Sequence, residues 1–127
     1  MAKFLLTDDS KFMRKIIKNI ILQLGHEVVA EASNGLEALH AYKKAKPDIV
    51  TMDITMPEYD GIYGVKAIRS WDPKARVIIV SAMGQQSYIL DAMRAGAVDF
   101  LVKPIISDQV EQAIKKCLQP PVNSGRN

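Results

Sequence analysis

The stretch Ile49–Pro57 reads IVTMDITMP, an apolar run interrupted by one charged residue, Asp53. Such a run is typical of a strand that is buried on both faces of a parallel sheet. A buried strand excludes a charge from its interior, so the sequence predicts that Asp53 lies at the strand end, where the sheet opens to solvent. Open α/β sheets bind ligands at the carboxyl ends of their strands. We therefore expect the functional site around Asp53.

The composition around this stretch is that of one ordinary globular domain. The chain has 127 residues, of which 48% are hydrophobic and 24% are charged, and this size suits a single core. No apolar run approaches the roughly 20 residues needed to span a bilayer, and Asp8 and Asp9 follow the N-terminal apolar stretch too soon for a secretory signal. Cys117 is the only cysteine, which fits a reducing compartment. We expect a cytoplasmic protein without a membrane partner.

The basic residues do not indicate a nucleic-acid site. The net charge is +3 and the pI is near 9.0, and Lys11, Arg14, Lys15 and Lys18 fall on neighbouring turns of one predicted helix. A basic helix face is more often solvated than bound to nucleic acid. Without a regular alternation of basic and aromatic residues, we expect no direct contact with nucleic acid.

Strand and helix patterns alternate five times along the chain. The predicted strands are Lys3–Asp8, Val28–Ala32, Asp48–Asp53, Arg76–Ser81 and Asp99–Val102. Helices follow each strand: the first is capped by Ser10, the second lies around Leu36–Ala45, the third spans Ile62–Arg69, the fourth spans Gln86–Arg94, and the fifth is capped by Ser107. This alternation predicts an α/β fold with a parallel sheet covered on both faces. We assign residues 1–119 to one domain and 120–127 to a flexible tail.

Polar residues converge on one edge of this sheet. Asp8 and Asp9 follow the first strand, Asp53 and Ser81 end the third and fourth, and Lys103 follows the fifth. The carboxyl ends of parallel strands share one edge, so these side chains should meet there. Three carboxylates would repel one another. A hard divalent cation with oxygen ligands, Mg²⁺, would relieve that repulsion, and the positive charge of Lys103 could hold an anionic oxygen.

This set of groups suits phosphoryl transfer to a carboxylate. A carboxylate can act as the nucleophile, and the reaction needs little beyond positioning and charge neutralisation. In this scheme Asp9 and Asp53 bind the metal directly and Asp8 acts through a water molecule. The backbone carbonyl of Thr55 completes the shell, and Ser81 supplies a neutral donor.

The motifs resemble those of response-regulator receiver domains, the CheY-like family of two-component signalling. The matching motifs cover about residues 1–118 in family order, and they are Asp8-Asp9, Asp53, MPEYDG at Met56–Gly61, Ser81-Ala82 and Lys103-Pro104. The resemblance implies a flavodoxin-like doubly wound sheet of five strands in the order 2-1-3-4-5, for which CheY is a known example. It also implies a cis peptide before Pro104.

The same resemblance implies the activity. Asp53 would accept a phosphoryl group from a sensor histidine kinase with Mg²⁺, and the protein would catalyse only its own phosphorylation and dephosphorylation. The implied switch pairs Ser81 with Phe100, a core residue that rotates inward on phosphorylation and carries no hydroxyl, unlike the tyrosine of many relatives. The stretches Val50–Glu58 and Ser81–Gln86 are similar to stand-alone chemotaxis regulators. The implied partners are a flagellar switch or other downstream protein and an aspartyl-phosphate phosphatase, with the chain itself monomeric.

Three alternatives stay open on the sequence. The chain could be a receiver from a longer DNA-binding transcriptional regulator, with Pro120-Pro121 starting a linker. It could be a metal-dependent phosphatase of the haloacid-dehalogenase type, although Thr55 stands where that family has a second aspartate. A flavodoxin shares the fold, but the hydroxyl-rich phosphate loop after strand one is missing. Outside the site, we expect His26 and His40 on the surface and Met52, Met56 and Met83 in packing roles.

Overall fold

The five strands form one parallel sheet. The computed structural model describes residues 1–119, and the predicted flexible tail, 120–127, lies outside the described residues. The strands are β1 (Lys3–Thr7), β2 (Glu27–Ala32), β3 (Ile49–Asp53), β4 (Val77–Ser81) and β5 (Asp99–Val102). Their order is β2-β1-β3-β4-β5, with every neighbouring pair parallel. The predicted fold and strand order are confirmed, and the predicted strand ends are correct to within one residue.

A helix follows each strand. The helices are α1 (Lys11–Gln23), α2 (Gly35–Ala45), α3 (Gly61–Trp71), α4 (Gln86–Ala95) and α5 (Ser107–Leu118). The hydroxyl of Ser10 accepts a hydrogen bond from the Met13 N–H, which confirms the predicted cap of α1. The predicted cap of α5 is wrong, because Ser107 is the first helical residue and the cap position is Ile106. In residues 1–119, no helix has the length and apolar character needed to cross a membrane.

The sheet separates two hydrophobic cores. One face of the strands, with Leu5, Val50 and Ile79, packs in a core with residues of α2, α3 and α4. The other face, with Phe4 and Ile78, packs with residues of α1 and α5. All five residues of β3 and of β4 are buried, as the apolar runs predict for strands covered on both faces. Parallel packing of this kind leaves only the ends of these strands for chemistry.

Close packing of α3 depends on a glycine inside the helix. Gly64 lies inside α3, although glycine is a poor helix former. A Cβ at this position would collide with the Met52 side chain, and it would lie 3.1 Å from the Cα of Gly35 in α2. The missing side chain therefore allows α3 to lie against the sheet and against α2.

Two sequence-based expectations outside the site are wrong. Met83 is not a packing residue, because 78% of it is exposed, whereas Met52 and Met56 are buried as expected. His26 is half-buried rather than on the surface, and its Nδ1 accepts a hydrogen bond from the Ala2 N–H. Trp71 is the last residue of α3, with the Lys43 ammonium 4.5 Å from its ring centre. Local sequence signals cannot report these long-range contacts.

Candidate functional site

Three carboxylates meet at the carboxyl edge of the sheet. Asp53 is the last residue of β3, and Asp8 and Asp9 directly follow β1. The pairing of Thr7 with Met52 brings the ends of these two strands level. Each of the three aspartates offers a carboxylate oxygen, and these oxygens all lie within 4.8 Å of one another. The predicted convergence on Asp53 is therefore present.

Lys103 places one positive charge between two of these carboxylates. Its Nζ lies 3.6 Å from Oδ2 of Asp8 and 3.7 Å from Oδ1 of Asp53. The backbone positions the side chain, because the Lys103 N–H donates a 2.8 Å hydrogen bond to the carbonyl of Ser81. The peptide bond between Lys103 and Pro104 is cis, as the resemblance implies. A single lysine cannot neutralise three carboxylates, so the cluster keeps an excess of negative charge.

The carboxylates differ in their exposure. Asp53 is only 7% exposed and Asp8 only 2%, whereas Asp9 is exposed. Asp53 lies at the strand end as expected, but it is buried rather than open to solvent. Burial raises the pKa of Asp53 to about 6, with a further contribution from the negative charge of Asp8. Burial also raises the pKa of Asp8, against the hydrogen bond that it accepts from the Ser10 N–H.

These groups fit a divalent cation. Oδ2 of Asp8 is buried, and it accepts no hydrogen bond from the residues that the structure describes. A buried charged oxygen without a donor is unfavourable, and a cation would satisfy it. The three carboxylates supply hard oxygen ligands of the type that Mg²⁺ binds.

A glycine allows the chain to fold closely around Asp53. The Gly61 N–H donates a 2.8 Å hydrogen bond to the Ile54 carbonyl. A Cβ at position 61 would collide with the backbone carbonyl of Asp53 and lie 2.8 Å from the Cα of Ile54. Asp60, the cap of α3, accepts a hydrogen bond from the Tyr63 N–H. The turn at Asp60-Gly61 therefore packs directly against the backbone of Asp53 and Ile54.

The two predicted switch residues lie in different surroundings. Ser81 is fully buried, and its Oγ has no hydrogen-bond partner among the described residues. Phe100 was expected in the core, but 43% of it is exposed. It lies on the edge strand β5 and lines an open apolar groove with Met83, Leu90 and Met93 of the α4 region. That expectation is wrong, because no helix covers this side of β5 completely.

Sequence reasoning missed Gln85 at this site. Its Oε1 accepts a 2.8 Å hydrogen bond from the Ala82 N–H, and its Nε2 donates a 2.9 Å hydrogen bond to Oγ1 of Thr55. For Thr55, only the backbone carbonyl was expected at the site, as a metal ligand. A polar side chain in a loop leaves no periodic signal, so the sequence pattern offered no means of finding this contact.

The response regulator receiver domain family matches residues 4–115. This chain belongs to that family. It is 55% identical to the chemotaxis protein CheY of Bacillus subtilis, over 91% of this chain and 97% of that protein. It is 52% identical to CheY of Thermotoga maritima, over 90% of this chain and 95% of that protein. Receiver domains of this kind are signalling switch proteins.

A solved structure agrees with these matches. A chain of the crystal structure of the CheX–CheY–BeF₃–Mg complex from Borrelia burgdorferi superposes with a TM-score of 0.88 at 37% identity. The superposition covers 93% of this receiver domain and 90% of that chain. This chain therefore shares its fold with a chain of that complex. The acidic cluster around Asp53 lies in a receiver domain.

Proposed function

We propose that this chain is a stand-alone chemotaxis response regulator in which Asp53 accepts a phosphoryl group from a sensor histidine kinase. One observation carries the proposal: Asp53 lies in a cluster of three carboxylates, with the Lys103 ammonium 3.7 Å from its Oδ1. The high identity to chemotaxis proteins supports the chemotaxis assignment. The receiver domain in this proposal spans residues 1–119, and 120–127 form a tail.

The transfer requires a nucleophile and groups that neutralise charge. A carboxylate oxygen of Asp53 forms a bond to phosphorus, and the bond between phosphorus and the donor breaks, with its electron pair leaving on the donor. Lys103 holds an oxygen of the transferred group, and the Ser81 hydroxyl donates a hydrogen bond to it. Positioning and charge neutralisation of this kind supply most of the catalysis in phosphoryl transfer. In dephosphorylation a water oxygen attacks phosphorus, and the bond between phosphorus and Asp53 breaks with its electron pair returning to the carboxylate. The same residues serve this step, so the chain acts on its own phosphate only.

Asp8, Asp9 and Asp53 would hold Mg²⁺, with the carbonyl of Thr55 as a further ligand, and the bound ion would offset the negative charge of the incoming phosphoryl group. Oδ2 of Asp8 supports this ligand set, because it is buried and accepts no hydrogen bond from the described residues. Asp8 is buried and Asp9 is exposed.

The signal leaves the site through Ser81 and Phe100. Phosphorylation would draw the Ser81 hydroxyl toward the phosphoryl group, and Phe100 would rotate from its exposed position into the space left behind. That rotation would reshape the groove beside α4. We propose a flagellar switch or another downstream protein as the partner that reads this surface, and an aspartyl-phosphate phosphatase as the partner that resets it. The protein would act as a monomer in the cytoplasm.

Phosphorylation by a small donor tests the proposal. Incubation with acetyl phosphate and Mg²⁺ should add one phosphate, detected by intact mass spectrometry. Asp53→Asn should abolish the addition, because the amide is not a nucleophile of this kind. The control is Asp91→Asn, which changes an exposed aspartate on α4 and should label as the unmodified chain does. Labelling that survives Asp53→Asn would overturn the assignment.

A further inference from the structure

The side chain of Gln85 bridges two loops that flank Asp53. Its Oε1 accepts from the Ala82 N–H at 2.8 Å, and its Nε2 donates to the Thr55 hydroxyl at 2.9 Å. Thr55 lies two residues after Asp53, and Ala82 directly follows β4, the strand whose Val80 pairs with Asp53. We call this pair of hydrogen bonds the Gln85 clasp. It joins the loops after β3 and β4 across the edge of the sheet that carries the phosphoacceptor.

The clasp engages a side chain that could otherwise cap its own helix. Gln85 occupies the cap position of α4, and its side chain makes no cap hydrogen bond there. By contrast, Ser10, Asn34 and Asp60 cap α1, α2 and α3 with their side chains. The first N–H groups of α4 therefore lack a side-chain acceptor. The Gln85 amide is directed away from its helix and toward the loops around Asp53.

The clasp also occupies a backbone donor at the edge of the sheet that carries Asp53. A phosphoryl group on Asp53 adds anionic oxygens, and these attract N–H and O–H donors more strongly than a neutral amide oxygen does. The Ala82 N–H lies beside Ser81 at this edge, and its present acceptor is the neutral Oε1 of Gln85. The phosphoryl group and the Gln85 amide would therefore compete for one donor.

We propose that the Gln85 clasp holds the two loops in the unphosphorylated arrangement and opens when Asp53 is phosphorylated. Gln85 is then a positioning residue that slows phosphorylation, since the clasp must break before the Ala82 N–H can turn to a phosphoryl oxygen. This inference rests on the proposed function, in which Asp53 accepts the phosphoryl group. It adds a residue that sets how readily the site accepts it.

The first test is a rate measurement on the variant Gln85→Met. Methionine keeps the length of the side chain and removes both hydrogen bonds. The loss of roughly one net hydrogen bond from the resting state should speed phosphorylation by acetyl phosphate with Mg²⁺ about three- to tenfold. The matched control is Gln86→Met at the next, exposed position, which should react at the unmodified rate. A Gln85→Met rate equal to or below that of the unmodified chain overturns the clasp.

The second test needs no mutation. The NH₂ signals of Gln85 are followed by NMR as beryllofluoride, a phosphoryl mimic, is added with Mg²⁺. Opening of the clasp should shift these signals and speed their exchange with water, which a purely structural glutamine would not show. Unchanged signals at saturation overturn the inference. If Asp53 is phosphorylated but Gln85→Met reacts at the unmodified rate, the clasp alone is disproved. If Asp53 is not phosphorylated at all, the proposed function is disproved.

Discussion

Nζ of Lys103 lies 3.7 Å from Oδ1 of Asp53, close enough to attract the carboxylate and too far for a strong direct hydrogen bond. The lysine therefore lowers the pKa of Asp53 without cancelling the larger effect of burial. This spacing also leaves Nζ free to contact an oxygen of an incoming group.

Removal of Lys103 should slow phosphorylation. We expect Lys103→Ala to reduce the rate with acetyl phosphate and Mg²⁺ about 10²-fold, the usual cost of losing one preorganised donor at a transition state. The control is Lys116→Ala, since the Lys116 side chain is 71% exposed and pairs with Asp99 at 3.7 Å, away from Asp53 in the sequence. Equal rates for the two variants would contradict the role of Lys103.

Asp53 should destabilise the metal-free protein at neutral pH. Its pKa is about 6 in the folded protein, against the ordinary aspartate value of 3.8, which applies to the unfolded chain. Below the unfolded pKa both states bind the proton, so the folded state suffers no penalty. As the pH rises from about 3.8 to about 6, the unfolded chain releases its proton more readily than the folded protein, and stability is lost until both states are ionised.

The variant Asp53→Asn removes this penalty. At pH 7.5 in the presence of a chelator, we expect its free energy of unfolding to exceed that of the unmodified chain by about 1–3 kcal/mol. At pH 4 the difference should nearly vanish. Urea denaturation at both pH values measures it, and a difference that does not depend on pH would refute the buried-charge explanation.

Mg²⁺ should stabilise the protein through the same carboxylates. At a concentration of about 100 times its Kd, a ligand of the folded state adds about 2.7 kcal/mol to the free energy of unfolding. We expect a matching rise in Tm for the unmodified chain and little rise for Asp53→Asn. The effect should weaken as the pH falls below about 6, because Asp53 then binds a proton. A Tm rise of the same size in both proteins would place the ion elsewhere.

The exposure of Phe100 can be tested against its neighbour. Phe100 is 43% exposed and Leu101 is 9% exposed. We expect Leu101→Ala to cost about 2–4 kcal/mol of unfolding free energy, as for a buried leucine, and Phe100→Ala to cost about 1 kcal/mol or less. Chemical denaturation of the two unphosphorylated variants makes the comparison, and a larger cost at Phe100 would show that its ring is packed.

The sequence predicted the site better than its surroundings. Asp53 and Lys103 could be placed together because parallel strands end at one edge of a sheet, whatever the details of packing. The burial of Asp53 could not be predicted, since it depends on how Gly61 and the loop after β3 fold back. The exposed face of Phe100 depends on which helices cover an edge strand. The Gln85 contact with Thr55 joins residues 30 positions apart, so local sequence patterns could not predict it.

The close approach at Gly61 also sets a limit on sequence variation. Alanine is the better helix former, and position 61 is the first residue of α3, so a local preference would favour replacement. The carbonyl of Asp53 fills the space that any side chain would need. In a saturation mutagenesis library selected for signalling, this position should therefore retain glycine alone, as strictly as Asp53, the proposed phosphoacceptor.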